Sequence, residues 1–124
     1  MKKLLFLFML TPLLMATSCE SSDDEIYCTN EFVYGLNVVV LDATSGQPLI
    51  EGVEVRAVDG TYQEVLHTNF GMEYTFLGAG ERIGNYTITV TKDGYLTQTL
   101  APVAVPANVC HVVTQSLTVT LQPE

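Results

Sequence analysis

Between residues 84 and 95 the chain reads GNYTITVTKDGY. Tyr86, Ile88 and Val90 alternate there with Thr87, Thr89 and Thr91. A period of two is the repeat of a strand with one face turned to a core and the other to water. The Asp93-Gly94 pair that follows is a turn signal, because Gly accepts positive φ and Asp bonds its own backbone. The same pattern recurs along the chain. Residues 31–42 predict a strand with Val38 and Val40 on one face and Asn37, Val39 and Leu41 on the other. Gly46 and Pro48 predict a turn after it. Residues 52–59 predict a strand with Val53, Val55 and Ala57 inward, and Asp59-Gly60 predicts a hairpin into a strand over 61–67. Phe70, Met72, Tyr74 and Phe76 alternate and predict a strand over 71–77, with a loop at 78–82. Residues 95–105 are extended, but Pro102 and Pro106 cannot donate to a ladder, which predicts an edge strand or a strand with breaks. The longest run, 109–121, places Val113, Leu117, Val119 and Leu121 on one face with Gln115. Seven short strands separated by turn signals predict an all-β fold, an antiparallel β-sandwich.

Residues 1–18 follow a different rule. Lys2 and Lys3 precede an apolar run from Leu4 to Leu10, which resumes at Leu13, and small residues precede Cys19. This is the make-up of an export signal. The run is short and interrupted by Pro12, which disfavours the alternative of a retained membrane-spanning anchor. Leu14-Met15-Ala16-Thr17-Ser18-Cys19 resembles the lipobox of bacterial lipoproteins, whose cysteine becomes the acylated N-terminus. That pattern prefers Leu where this chain has Ala16, and ordinary signal cleavage at the same bond is the alternative. Glu20, Asp23, Asp24 and Glu25 then make residues 19–27 a solvated acidic tether. An acidic cluster behind a lipidated cysteine also resembles the surface-export signal of Bacteroidetes lipoproteins. The expected organisation is a signal peptide at 1–18, a lipidated tether at 19–27 and one β-sandwich domain at 28–124. Acylation of Cys19 would anchor the chain to the outer membrane, on its periplasmic or cell-surface face, without spanning it.

Charge narrows the partners. Beyond Cys19 the basic residues are Arg56, Arg82 and Lys92 against 14 acidic ones, a net charge of 3 − 14 = −11. A field of that sign repels phosphates and argues against nucleic acid. It also leaves lipid, not charge, to hold the chain at an anionic membrane surface. Of the three cysteines, Cys19 is assigned to lipid. In an exported chain the remaining pair, Cys28 and Cys110, reads most simply as a disulfide. Two free thiols are the alternative; a cysteine metal site lacks the CxxC spacing.

The search for reactive chemistry yields little. His67 and His111 have no third ligand at metal spacing, so no metal or cofactor is expected. Cys110 and His111 place a thiol beside a base, but neighbours in a strand point to opposite faces. Asp42, Asp59 and Asp93 sit at strand ends or turns, where Asp is used for local backbone bonds; calcium at such a cluster is the alternative. Arg82 and Lys92 are too few for an anion site. Tyr34, Tyr62, Phe70, Tyr74, Phe76 and Tyr95 are candidates for a sugar-stacking platform, but without Trp they read first as core or strand cover.

Two stretches carry a family resemblance. GLNVVVLDATSGQPLIEGVEVRA and GNYTITVTKDGY resemble the carboxypeptidase regulatory-like (prealbumin-like) domain. The matching positions are Asp42, Gly46, Pro48, Gly52, Val53, Gly84, Tyr86, Val90, Lys92, Gly94 and Tyr95. The resemblance implies a seven-stranded Greek-key sandwich of a kind that serves as an accessory or structural module. Enzymatic relatives, the transthyretin-like hydroxyisourate hydrolases, need several histidines, an arginine and a Tyr-Arg-Gly-Ser-like C-terminus. This chain ends Thr120-Leu121-Gln122-Pro123-Glu124, so that activity does not carry over. The expected function is a non-enzymatic, lipid-anchored envelope module that is structural or binds another envelope protein. The alternative is an accessory lipoprotein that captures a glycan or peptide.

Overall fold

The computed structural model describes residues 25–124. Cys19 and the signal at 1–18 lie outside them. Among the described residues there are eight strands and no helix: β1 Tyr34–Asp42, β2 Glu54–Asp59, β3 Tyr62–Val65, β4 His67–Asn69, β5 Met72–Gly80, β6 Gly84–Thr91, β7 Gln98–Val105 and β8 Gln115–Leu121. They form two four-stranded sheets, ordered β4-β5-β1-β8 and β3-β2-β6-β7. The expectation of an all-β sandwich holds at that level.

The core is what the period of two dictated. Val38 and Val40 of β1, Val55 and Ala57 of β2, and Ile88 and Val90 of β6 are all fully buried between the sheets. Their neighbours Val39, Arg56 and Thr89 face outward and are only half-buried. At about 25 cal/mol per Å² of apolar surface removed from water, this shared interior is the main favourable contribution to folding.

Four expectations need correction. The strand expected over 61–67 is two strands in different sheets. At Leu66 the chain leaves the second sheet for the first. Its side chain is buried between them, and its N–H donates to the Val55 carbonyl at 2.8 Å. The loop expected at 78–82 is mostly strand, since β5 runs to Gly80. Its glycines serve close packing: a Cβ on Gly78 would lie 2.6 Å from Leu66 Cγ, and one on Gly80 would clash with the edge of the Phe32 ring. Nor are the sheets wholly antiparallel. β1 and β8 pair in parallel over seven residues, from Leu36 opposite Gln115 to Asp42 opposite Leu121. Parallel neighbours cannot be joined by a hairpin, and these two stand at opposite ends of the domain sequence.

β8 is also shorter than the alternating run behind it. Asn108 intervenes: its side-chain carbonyl accepts the N–H groups of Cys110 and His111 at 2.9 and 2.8 Å. That local bond holds residues 107–112 as a turn closed by an Ala107–Val112 bridge.

Candidate functional site

β1 and β8 both start at one end of the sandwich. Cys28 precedes one strand and Cys110 the other, and they form a disulfide with Cα atoms 5.2 Å apart. A bond of this kind persists in oxidising, extracytoplasmic compartments. Around it lies a set of polar bonds centred on Glu81. Its Oε1 accepts the Val33 N–H at 2.9 Å and lies 2.7 Å from His111 Nδ1; its Oε2 accepts the Val112 N–H at 3.4 Å. His111 Nε2 lies 3.2 Å from the Thr29 hydroxyl. The Val33 bond, with help from His111, holds the Glu81 carboxyl below its ordinary range. Glu81 sits at φ 47°, in the left-handed region, which turns its side chain back toward the arriving chain.

Hydroxyl, imidazole and carboxylate in that order are the parts of a nucleophilic relay. Here the carboxylate is shared with two backbone N–H groups from separate segments. The set forms a clasp that joins the N-terminal segment, the β5–β6 connection and the 107–112 turn. Cys110 and His111 do diverge, one to Cys28 and the other to Glu81, although they lie in a turn and not in a strand.

Beside the clasp, Arg82 closes a second corner. Its guanidinium donates to Asp59 Oδ2 and to the Tyr86 hydroxyl, both at 2.9 Å, and lies 3.8 Å from the centre of the Tyr62 ring. The Tyr86 hydroxyl donates in turn to the Arg82 carbonyl at 3.0 Å. This return bond to the backbone four residues upstream is the geometry of the tyrosine corner of β-sandwiches. Tyr86 and Asp59 together raise the Arg82 pKa. Burial, and then Glu64, raises that of Tyr62.

The opposite end of the sandwich holds several residues of the family resemblance, Asp42, Gly52, Lys92 and Tyr95 among them, while Gly84 and Tyr86 lie at the Arg82 corner. The Tyr95 hydroxyl donates to Asp42 Oδ2 at 2.6 Å, while Asp42 Oδ1 accepts the Thr44 and Ser45 N–H groups. Lys92 donates to the Glu51 carbonyl at 2.5 Å, beside Gly52 at φ 71°. A shallow depression of about 470 Å³ lies there, lined by Glu54, Lys92, Asp93, Tyr95 and Glu124 among others. Its charged groups are three carboxylates, Glu54, Asp93 and Glu124, and one amine, Lys92. No cluster of three His, Cys, Asp or Glu side chains among the described residues is arranged to hold a metal.

The histidines stay apart in role. His67 stacks edge-on with Tyr34, ring centres 5.7 Å apart, while His111 belongs to the clasp. Of the aromatics, Phe76 is core, Tyr62 stacks on Arg82 and Tyr95 bonds Asp42. Phe70 is fully exposed at the β4–β5 turn, and Met72 and Tyr74 beside it are also exposed, against the expectation of core or strand cover. The residue that sequence reasoning missed is Glu81. It sits beside glycines in an apparent loop, and nothing local marks it as an acceptor for residues 30 and 48 positions away. Compared with known proteins, the chain matches no family model and no curated sequence.

Proposed function

We propose that this chain is a non-enzymatic, lipid-anchored module of the cell envelope, a Greek-key sandwich of the carboxypeptidase regulatory-like type. It is carried on an acidic tether from acylated Cys19 and acts as a structural or protein-interaction element at the outer membrane. The observation that carries the reading is the Cys28–Cys110 bond, which fastens the point where a tether would enter to the turn before the last strand. A pull on Cys19 would pass through that bond into both β1 and β8, at the centre and edge of one sheet. The Glu81 clasp adds non-covalent ties at the same place. The family reading is supported by the way Asp42 and Tyr95, one from each motif, meet in a hydrogen bond. Fractionation tests the anchor: the wild-type chain should sediment with outer membranes, and Cys19→Ser should appear in a soluble fraction. Wild-type protein found soluble would refute it.

A second reading, capture of a glycan or peptide, is favoured by one observation. Phe70, Met72 and Tyr74 are exposed on the β4–β5 hairpin, at the end of the sandwich away from Cys28. A glycan array and a pull-down, each with wild type and Phe70→Ala, test it; no Phe70-dependent ligand in either would sink it.

A further inference from the structure

The end of the sandwich where Cys28 and Cys110 meet also leaves large apolar side chains in water. Tyr27 and Val109 stand next to the two cysteines in sequence and are 85% and 76% exposed. Ile83 is 62% and Phe32 61% exposed. One exposed apolar side chain needs no explanation, but a group of them at one place marks a contact surface.

These side chains come from three segments that are tied together. The disulfide joins the segment of Tyr27 to the turn that holds Val109. Glu81, two residues before Ile83, lies 2.7 Å from His111 Nδ1 in that turn and accepts the N–H of Val33, next to Phe32. The Phe32 ring packs edge-on against Tyr34, with ring centres 5.1 Å apart. The apolar groups are therefore mounted on a braced frame and not on a loose terminus.

Charge narrows what can cover them. Two carboxylates at this end are engaged, Asp59 by Arg82 at 2.9 Å and Glu81 by His111 at 2.7 Å. Glu25 and Glu31 stay exposed, and Glu25 accepts the Tyr27 hydroxyl at 2.8 Å. Carboxylates give no attraction to an anionic lipid surface. The occupant must be held by apolar contact.

Reach decides the rest, on the lipid-anchored reading proposed above. Cys19 precedes Cys28 by 28 − 19 = 9 residues, a span of about 32 Å at most when fully extended. β1 alone has nine residues and, at 3.3 Å each, is roughly 30 Å long. With Cys19 acylated, the Cys28 end meets the bilayer with slack in the connection. The Phe70 tip, at the other end, reaches it only if the whole connection is stretched back along the sandwich. Tethering also raises the effective concentration of the lipid surface, so a modest apolar patch is enough. Tyr and Phe suit such a boundary, since aromatic rings favour the interface between apolar and wet regions.

We propose that Tyr27, Phe32, Ile83 and Val109 seat the domain on the lipid–water interface of a zwitterionic bilayer. The seat holds the disulfide beside the headgroups and turns the Phe70 hairpin away from the membrane.

The chain contains no tryptophan, so one substitution supplies a unique reporter. Ile83→Trp, Val109→Trp and Phe70→Trp are made singly in the full-length chain, purified from cell envelopes in detergent and reconstituted into phosphatidylcholine vesicles with brominated acyl chains. Bromine quenches only a ring that comes close to the acyl region. Trp at 83 and at 109 should be quenched and blue-shifted, and Trp at 70 should be neither. Quenching at 70 equal to or above that at 83 and 109, or quenching at none of them in chains that float with the vesicles, overturns the seat and leaves the anchor standing. Chains that fail to float overturn both. Rings at 83 and 109 shielded from aqueous acrylamide but not quenched by bromine would assign the patch to a second copy of the chain, and overturn the seat as well.

A second set removes the patch. Ile83→Ser with Val109→Ser, read through Tyr27→Trp, should lose most of the bromine quenching with an unchanged circular dichroism spectrum; undiminished quenching overturns the proposal. Adding phosphatidylglycerol should weaken the quenching at low salt, because the chain is acidic. Stronger quenching there would overturn a seat held by apolar contact.

Discussion

The Tyr95 hydroxyl lies 2.6 Å from Asp42 Oδ2 and joins two turns that are 53 residues apart in the chain. That bond is the main reason the Asp42 carboxyl is held below its ordinary value of 3.8, with the Ser45 and Thr44 N–H groups adding to it. The same bond pushes the Tyr95 phenol above its ordinary value of 10.0. In Tyr95→Phe the first cause is gone. The Asp42 carboxyl should then titrate at higher pH in carbon-detected NMR, and an unchanged titration would contradict this account of its shift.

Acid stability follows from Asp42 and Glu81 together. Both carboxyls have folded pKa values below their unfolded ones, so their contribution is complete above the unfolded values. It is lost as pH falls through about 4.5 for Glu81 and 3.8 for Asp42, and on below them. Denaturant midpoints should therefore decline with acidification in this window. Asp42→Asn with Glu81→Gln should be less stable at neutral pH and show a flatter decline.

Removing the disulfide should be costly. Cys28 and Cys110 are 82 residues apart in sequence, and the chain-entropy argument gives about 4.5 kcal/mol for closing a loop of that size. Cys28→Ser with Cys110→Ser should lower the unfolding free energy by an amount of that order in urea titrations. The strand content by circular dichroism should survive below the transition, because the sheets' core does not include either cysteine.

Two packing predictions test the corrected part of the fold. Gly78→Ala drives a Cβ into Leu66 and should cost roughly 1–3 kcal/mol, typical of overpacking. Combined with Leu66→Ala, the loss should be less than the sum of the two, since the clash is relieved. Tyr86→Phe strips one partner from Arg82 and one from its carbonyl, and should cost on the order of 1–2 kcal/mol.

β6 shows how far sequence pattern reaches. Its bounds, its inward Tyr86, Ile88 and Val90, and its turn at Gly94 all follow from local alternation and turn chemistry. β1 and β2 are legible for the same reason. Leu66 is not, because moving from one sheet to the other changes no local period. Gly78 and Gly80 were misleading: a glycine needed for close packing looks the same in sequence as one needed for a turn. The parallel pairing of β1 with β8 is a long-range property that neither strand's own pattern encodes. The disulfide was legible from cysteine count, but its clasp was not, since Glu81, His111 and Thr29 meet only after folding. The exposed Phe70 hairpin tip escaped because alternation continues through it while the opposing sheet does not.

The mass of the mature N-terminal peptide tests the central claim most directly. Protein recovered from cell envelopes, digested and analysed by mass spectrometry, should begin at Cys19 and carry the added mass of acyl chains. A terminus at an unmodified Cys19, or one that retains residues 1–18, would contradict the lipid-anchored reading.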